Sequence, residues 1–299
     1  MASWQSWVKA ARLRTLPLAL ASIAMGGAVA ATTATFNLEA VLAAGLTTLF
    51  LQVLSNMAND YGDSKSGIDN AGRVGPRRTV QSGEIRPKEM KTAVMLFSIL
   101  SLISGLWLVF GIADIAATNA ILFVGLGLMA IAAAIKYTVG KNPYGYVGLG
   151  DVFVFLFFGL LGVAGTYFLA AGNFDPLVLL PASALGLLST GVLNLNNMRD
   201  IDNDRANGKR TLVVKMGSQA ALTYHSLLVL LPFVLLSTFL LYSEHQWYAW
   251  LFLLSFPLFA GDLLKIYGIR NPANLDPFLK RLALMTLLLT LLFAAGLNL

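Results

Sequence analysis

The stretch N-M-A-N-D-Y-G-D-S-K-S-G-I-D, Asn56 to Asp69, decides the fold class. It sets three carboxylates, Asp60, Asp63 and Asp69, and two carboxamides, Asn56 and Asn59, at the end of a long apolar run. A weaker counterpart, N-N-M-R-D-I-D-N-D from Asn196 to Asp204, closes another apolar run further along. Polar groups beside hydrocarbon are costly, and they mark substrate or ion paths where they occur.

The composition agrees with hydrocarbon on either side of these motifs. Of 299 residues, 57% are hydrophobic and 12% are charged, with a mean hydropathy of +0.71. A soluble domain carries about 25% charged residues. The long apolar runs therefore indicate an all-α, polytopic membrane protein. No cysteine is present, which excludes disulfides, thiolate metal sites and a cysteine nucleophile. The net charge of +6 is explained by membrane orientation, and no nucleic-acid partner is expected.

Nine spans can be drawn, at about 16–34, 39–59, 92–112, 115–135, 149–171, 176–197, 222–242, 247–268 and 281–298. With these spans all 21 Lys and Arg residues fall on one side, Lys280 and Arg281 being placed between spans 8 and 9. The opposite loops carry only acids among their charges: Glu39, Asp114, Asp175 and Glu244. The positive-inside rule then puts the N-terminus in the cytoplasm and the C-terminus outside, as expected for a cell-membrane protein. Trp4 and Trp7, with Lys9, Arg12 and Arg14, read as an interfacial amphipathic helix rather than a cleavable signal.

The outside loops are short, whereas the inside loops after spans 2 and 6 are long and form cytoplasmic caps. Both acidic motifs sit at the mouths of those two loops, and both loops run through a glycine to a basic cluster, Arg77-Arg78-Thr79 and Lys209-Arg210-Thr211. The four-span offset suggests a degenerate repeat within one bundle, each half supplying one acidic helix end.

On a helix, Asn56, Asn59, Asp60 and Asp63 share one face, as do Asn196, Asp200 and Asp204. Several carboxylates on adjoining helix ends stay ionised near hydrocarbon only if cations neutralise them. Magnesium suits such a site, since it takes oxygen ligands, few of them from protein, and bridges to phosphate oxygens. Arg73, Arg77, Arg78, Lys209 and Arg210 would grip a diphosphate. A calcium hand is excluded for D-I-D-N-D (200–204), because Ala206 and Thr211 stand where its loop needs Gly and an acid.

N-D-Y-G-D (59–63) with Asp69, together with D-I-D-N-D, resembles the paired acidic motifs of the UbiA-type intramembrane prenyltransferases. Tyr137 and Lys141 match that family's Y-x-x-x-K element. The resemblance implies nine transmembrane helices, magnesium, a polyprenyl diphosphate donor and an aromatic acid acceptor. It implies metal ligation by Asp60, Asp63, Asp69, Asp200 and Asp204. Diphosphate contacts are implied from Asn56, Asn59, Asn196, Arg14 and the basic cluster, and catalytic contacts from Tyr137 and Lys141. Asp69 lies two residues beyond the family position, where it either ligates metal or orders the loop. R-x-R-T-L-P (12–17), R-V-G-P-R-R-T-V-Q-S-G (73–83) and Y-G-Y-V-G-L-G-D-V-F-V-F-L-F-F-G (144–159) look most like the branch that prenylates dihydroxynaphthoate.

Asp151, just inside span 5, is expected to orient or deprotonate the acceptor, or else to cap its helix. Asp262 in span 8 has Lys265 as a plausible partner. His225 and His245 lie away from the acidic side, so covalent catalysis is not expected. Aromatic side chains near span 5 are available to stabilise an allylic cation. A secondary transporter is the rival class, but transporters usually place their sites at the midplane on broken helices. Within the enzymes, 4-hydroxybenzoate or a chlorophyll- or haem-type substrate is the alternative acceptor.

Overall fold

The computed structural model describes residues 2–68, 74–243 and 245–299. Among them every regular element is helical, and nine helical stretches are long and apolar enough to cross a membrane. They are Trp4–Ala30, Leu38–Ser66, Pro87–Ile112, Ala117–Lys136, Gly150–Ala171, Pro176–Arg199, Ser218–Tyr242, Trp247–Tyr267 and Pro272–Asn298, here spans 1 to 9. The protein is a multi-pass membrane protein.

Several ends differ from the apolar runs, for a local reason. Helices continue past the hydrocarbon when polar residues satisfy their terminal groups. Span 2 runs on to Ser66 and stops at Gly67, whose φ of 76° favours glycine. The N-D-Y-G-D motif therefore lies within the helix. Span 3 begins at Pro87, where the Glu89 carboxylate accepts the N–H of Arg86 at 3.1 Å. Span 9 begins at Pro272 rather than 281, so Lys280 and Arg281 belong to the helix and not to the preceding loop.

The first span has two parts. A short helix, Trp4–Ala11, is capped by Ser3 and has Trp4 exposed. The chain then turns at Arg12, the one non-glycine residue with positive φ (50°) among those described, and continues as Leu16–Ala30. Span 2 holds this turn from below. Asn56 donates to the Ala11 carbonyl at 2.9 Å and to Thr15 Oγ1 at 3.0 Å, while Arg12 donates to the Asn56 carbonyl at 3.3 Å.

Span 6 is central, packed against spans 5 and 7 and the start of span 9. Small residues permit this approach, as expected where helices meet in a bilayer. A Cβ on Gly159 would lie 2.7 Å from the Gly186 Cα, and one on Gly26 would lie 2.3 Å from the Val163 carbonyl oxygen. The main apolar core spreads over spans 1, 2 and 5 to 9 and takes in Leu108 of span 3, while a smaller one joins the N-terminal helix, span 2 and the 80–85 loop to span 3. Two stretches are wound wider than an α-helix, Leu108–Ile112 in span 3 and Phe155–Gly165 in span 5. Such widened turns occur often at functional sites, and both border the cavity described next.

Candidate active site

One cavity of about 400 Å³ is lined by spans 1 to 6 and 9, with spans 7 and 8 packed behind. One end is polar: Asn56, Asn59, Asp63, Arg78, Asn196 and Lys209 line it, with Arg12, Arg14 and Lys280 alongside. The rest of the wall is apolar and aromatic. Tyr137, Tyr144, Phe153 and Phe157 form a row in which each ring meets the next, at centroid distances of 5.3, 4.0 and 6.1 Å.

The helical face expected from the spacing is only partly turned to the cavity. Asp63 accepts from Arg78 Nη2 at 3.0 Å and from the Tyr146 hydroxyl at 2.6 Å. Asn59 accepts from Thr138 Oγ1 at 3.3 Å. Asp60, expected to ligate metal beside Asp63, does not line the cavity. It is 2% exposed, and its oxygens accept from Thr79 and Val80 instead.

The second motif is not one continuous helix. Span 6 ends at Arg199, Asp200 forms the junction, and a new turn covers Ile201–Ala206. Arg199, 1% exposed, grips Asp200 through two bonds, Nε to Oδ1 at 3.0 Å and Nη2 to Oδ2 at 2.6 Å. Its remaining nitrogen reaches Asp276 at the start of span 9 at 2.5 Å, and Nη2 also donates to Asn196 Oδ1 at 2.9 Å. Asp204 lies 3.4 Å from Lys209 Nζ. Burial raises the Asp204 carboxyl to about 6, against the lowering effect of Lys209, and Asp200 and Asp63 add to the rise. Burial alone would lower the Lys209 ammonium, but Asp204, Asp63 and Asp200 outweigh it and raise its pKa, so the ammonium stays charged.

Tyr146 joins the two motifs. Its hydroxyl meets Asp63, its ring lies 5.8 Å from Lys209 Nζ, and its carbonyl accepts the Arg210 N–H at 2.8 Å. Tyr137 lines the cavity one residue beyond span 4, and its phenol is raised by burial and then by Asp63, Asp151 and Asp204, so it stays protonated.

Several expected residues are elsewhere. Lys141, Arg77 and Arg210 are exposed and do not line the cavity. Helix geometry ends at Lys136, so Tyr137 and Lys141 do not sit one turn apart on a helix. Asp151 is buried and does not line the cavity; Thr190 Oγ1 of span 6 reaches its carbonyl at 3.4 Å, and Tyr224 of span 7 lies near its side chain. The partner of Asp262 is Arg281, not Lys265: two bonds of 2.8 and 2.5 Å tie span 8 to span 9. Asp69 and Arg73 lie outside the described residues.

Sequence reading offered Tyr146 only as one of several aromatic candidates, and it missed Arg199, Lys280 and Thr79 as contributors to the site. Arg199, inside an acidic motif, carried a signal: a basic residue next to a buried carboxylate. The others depend on contacts between distant segments.

The chain is 44% identical over 292 residues to the 1,4-dihydroxy-2-naphthoate octaprenyltransferase of Escherichia coli, covering 98% of this chain and 94% of that one. It is 44% identical over 293 residues to the Haemophilus influenzae protein of the same name, covering 97% and 95%. A UbiA homologue from Archaeoglobus fulgidus, solved bound to GPP and Mg2+, aligns over 98% of this chain and 100% of its own, with TM-score 0.64 and 16% identity. Residues 19–289 match the UbiA prenyltransferase family, and over that length, with the nine spans and paired acidic motifs, the chain belongs to this family.

Proposed function

We propose that the protein transfers a polyprenyl group from polyprenyl diphosphate to 1,4-dihydroxy-2-naphthoate, with loss of CO2 and with magnesium. The observation that carries this reading is a cavity whose polar end combines Asp63, Arg78 and Lys209 and whose wall is otherwise apolar and aromatic. A diphosphate suits the first part and an isoprenoid chain the second. The two similar bacterial proteins bear the name of this activity.

The donor set fits magnesium. Asp204 Oδ2 is buried with no hydrogen-bond partner among the described residues, and Asp63 and Asp200 lie near enough to raise its pKa. Among the described residues no three His, Cys, Asp or Glu side chains are grouped to hold an ion by themselves. That pattern suits a cation which takes one or two carboxylates and completes its shell with phosphate oxygens and water. Asp63 and Asp204 would hold it, both oxygens of Asp200 being taken by Arg199, and when bound it would neutralise charge on the leaving diphosphate.

The chain's own groups supply the rest. Arg78 and Lys209 bind phosphate oxygens from the two motif loops, with charge-assisted bonds that strengthen as the C1–O bond breaks. Asn59 and Asn196 offer carboxamides beside them. The row Tyr137, Tyr144, Phe153 and Phe157 presents aromatic faces to the allylic cation and excludes water. C1 of the prenyl group bonds to the ring carbon that carries the carboxylate. That carboxylate leaves as CO2, its bonding electrons return to the ring, and the diphosphate departs with the electron pair of the C1–O bond, no proton being released. The product is the quinol form of demethylmenaquinone. Arg12, Arg14 and Lys280 give an aromatic acid cationic neighbours at the same end. The polar end opens towards the cytoplasm, in line with the placement of the basic residues.

The test uses acceptor labelled in its carboxyl carbon, purified protein and a long-chain prenyl diphosphate. Labelled CO2 should appear with each transfer, and chelation by EDTA should stop it. Transfer with the label retained, or transfer to 4-hydroxybenzoate alone, would overturn the acceptor assignment.

A further inference from the structure

Asp60 belongs by sequence to the acidic motif, yet its position gives it different work. Its side chain accepts three hydrogen bonds from one loop: Thr79 N–H at 3.0 Å and Thr79 Oγ1 at 2.6 Å on Oδ2, and Val80 N–H at 3.2 Å on Oδ1. Asp60 and Thr79 are 2% and 1% exposed. A carboxylate that receives two backbone N–H groups and a hydroxyl is already satisfied, with its charge stabilised in place.

The loop that supplies these donors is itself folded back. Ile85 N–H donates to the Thr79 carbonyl at 3.1 Å, and Ser82 N–H to the Arg78 carbonyl at 2.9 Å. Val80 and Ile85 are buried against Leu54, Met57 and Ala58 of span 2. Arg78, the residue before Thr79, reaches Asp63 one helical turn along from Asp60. The two carboxylates thus hold consecutive residues of one loop, Asp60 taking Thr79 and Asp63 taking Arg78.

We infer that Asp60 and Thr79 are a positioning pair that fixes the 78–85 loop on span 2 and so aims the Arg78 guanidinium into the cavity, Asp60 being no metal ligand. This rests on the reading of Arg78 as a diphosphate contact. Loss of the Thr79 hydroxyl leaves the backbone bonds but removes the shortest of the three, loosening Arg78 without touching the groups proposed to hold metal.

Two measurements test it separately. Hydrogen exchange over residues 78–85, on the full-length protein without substrate, reads the tether alone. Thr79→Val and Asp60→Asn should both exchange faster there, with Thr79→Ser close to wild type. Unchanged protection in both variants would overturn the tether whatever the enzyme does. Kinetics read the consequence. Thr79→Val should lower kcat/KM for the prenyl diphosphate about tenfold, as for a lost charge-assisted bond, with the magnesium concentration for half-maximal rate unchanged. Thr79→Ser should restore kcat/KM, and Thr79→Val should add nothing in an Arg78→Met background, as coupled residues behave. A shift in magnesium dependence in Asp60→Asn with normal exchange would make Asp60 a metal ligand and refute the inference. Full additivity of Thr79→Val with Arg78→Met would refute it too. If wild type binds no prenyl diphosphate, the proposed function fails, while the exchange result still decides the tether.

Discussion

The two acidic motifs solve the same electrostatic problem in different ways. In the first, span 2 continues as a helix through Asn56, Asn59, Asp60 and Asp63, and the following loop folds back over it. In the second, span 6 breaks at Asp200, and the cations come from the motif itself, Arg199, and from the next turn, Lys209. Each buried motif carboxylate that meets a cation meets a different one: Asp63 meets Arg78, Asp200 meets Arg199 and Asp204 meets Lys209. A buried carboxylate left alone costs several kcal/mol, so each must be paired with a cation or, like Asp60, fully hydrogen-bonded to stay beside hydrocarbon. Two of those cations, Arg78 and Lys209, line the cavity, and Arg199 does not. The comparison therefore separates groups available to a ligand from groups that hold the bundle together.

If the motifs cooperate, their loops must lie on one face of the membrane. Single cysteines replacing Ser82, after the first motif, and Ser218, after the second, should label from the same side. One replacing Asn173 should label only from the other. This all-or-none pattern is the largest expected effect, and labelling of Ser82 and Ser218 from opposite faces would end the comparison.

Next in size are the carboxylates. Asp63→Asn and Asp204→Asn should each lower turnover by about a hundredfold or more, the scale for losing an electrostatic contact to a leaving group. Both proteins should still insert and purify. A large loss in one and none in the other would show that the motifs do not act as a pair.

Arg199 should behave as a structural residue first. Arg199→Met leaves Asp200 without its partner in a buried place, where breaking a pair costs about 3–5 kcal/mol. Thermal unfolding in detergent should shift strongly downward. Asp276→Asn should cost less, because that side chain is 37% exposed and Arg199 keeps Asp200. Equal melting temperatures for wild type and Arg199→Met would remove Arg199 from the account.

Much of this was legible in the sequence, and the limits were physical. The nine apolar runs and the paired motifs can be read because hydrocarbon demands continuous apolar length. The ends of spans 2, 3 and 9 cannot, since polar caps carry those helices onward. Spacing put Asn59 and Asp63 on one helical face, and both line the cavity, but it could not show that Thr79, 19 residues away, takes Asp60. Nor could it show that Arg281 rather than Lys265 meets Asp262. Asp151 was expected at the acceptor because a charge just inside a span is unusual. Span 5 turns Phe153 and Phe157 to the cavity and leaves Asp151 off its wall.

The smallest effects belong to the outer cations. Arg77, Lys141 and Arg210 are exposed and off the cavity wall, so alanine at each should change stability by no more than about 0.5 kcal/mol. Steady-state turnover should stay within about threefold, on the same energy scale. A loss as large as that of Arg78→Met in any of them would move the diphosphate outward from the cavity.

The central claim is that both motifs hold one diphosphate through a cation. It is tested most directly by calorimetric binding of an unreactive prenyl thiolodiphosphate with and without magnesium. The account predicts tight binding to wild type only with magnesium, weakened at least about tenfold in both Asp63→Asn and Asp204→Asn. Equal binding in EDTA, or binding untouched by either substitution, would contradict it.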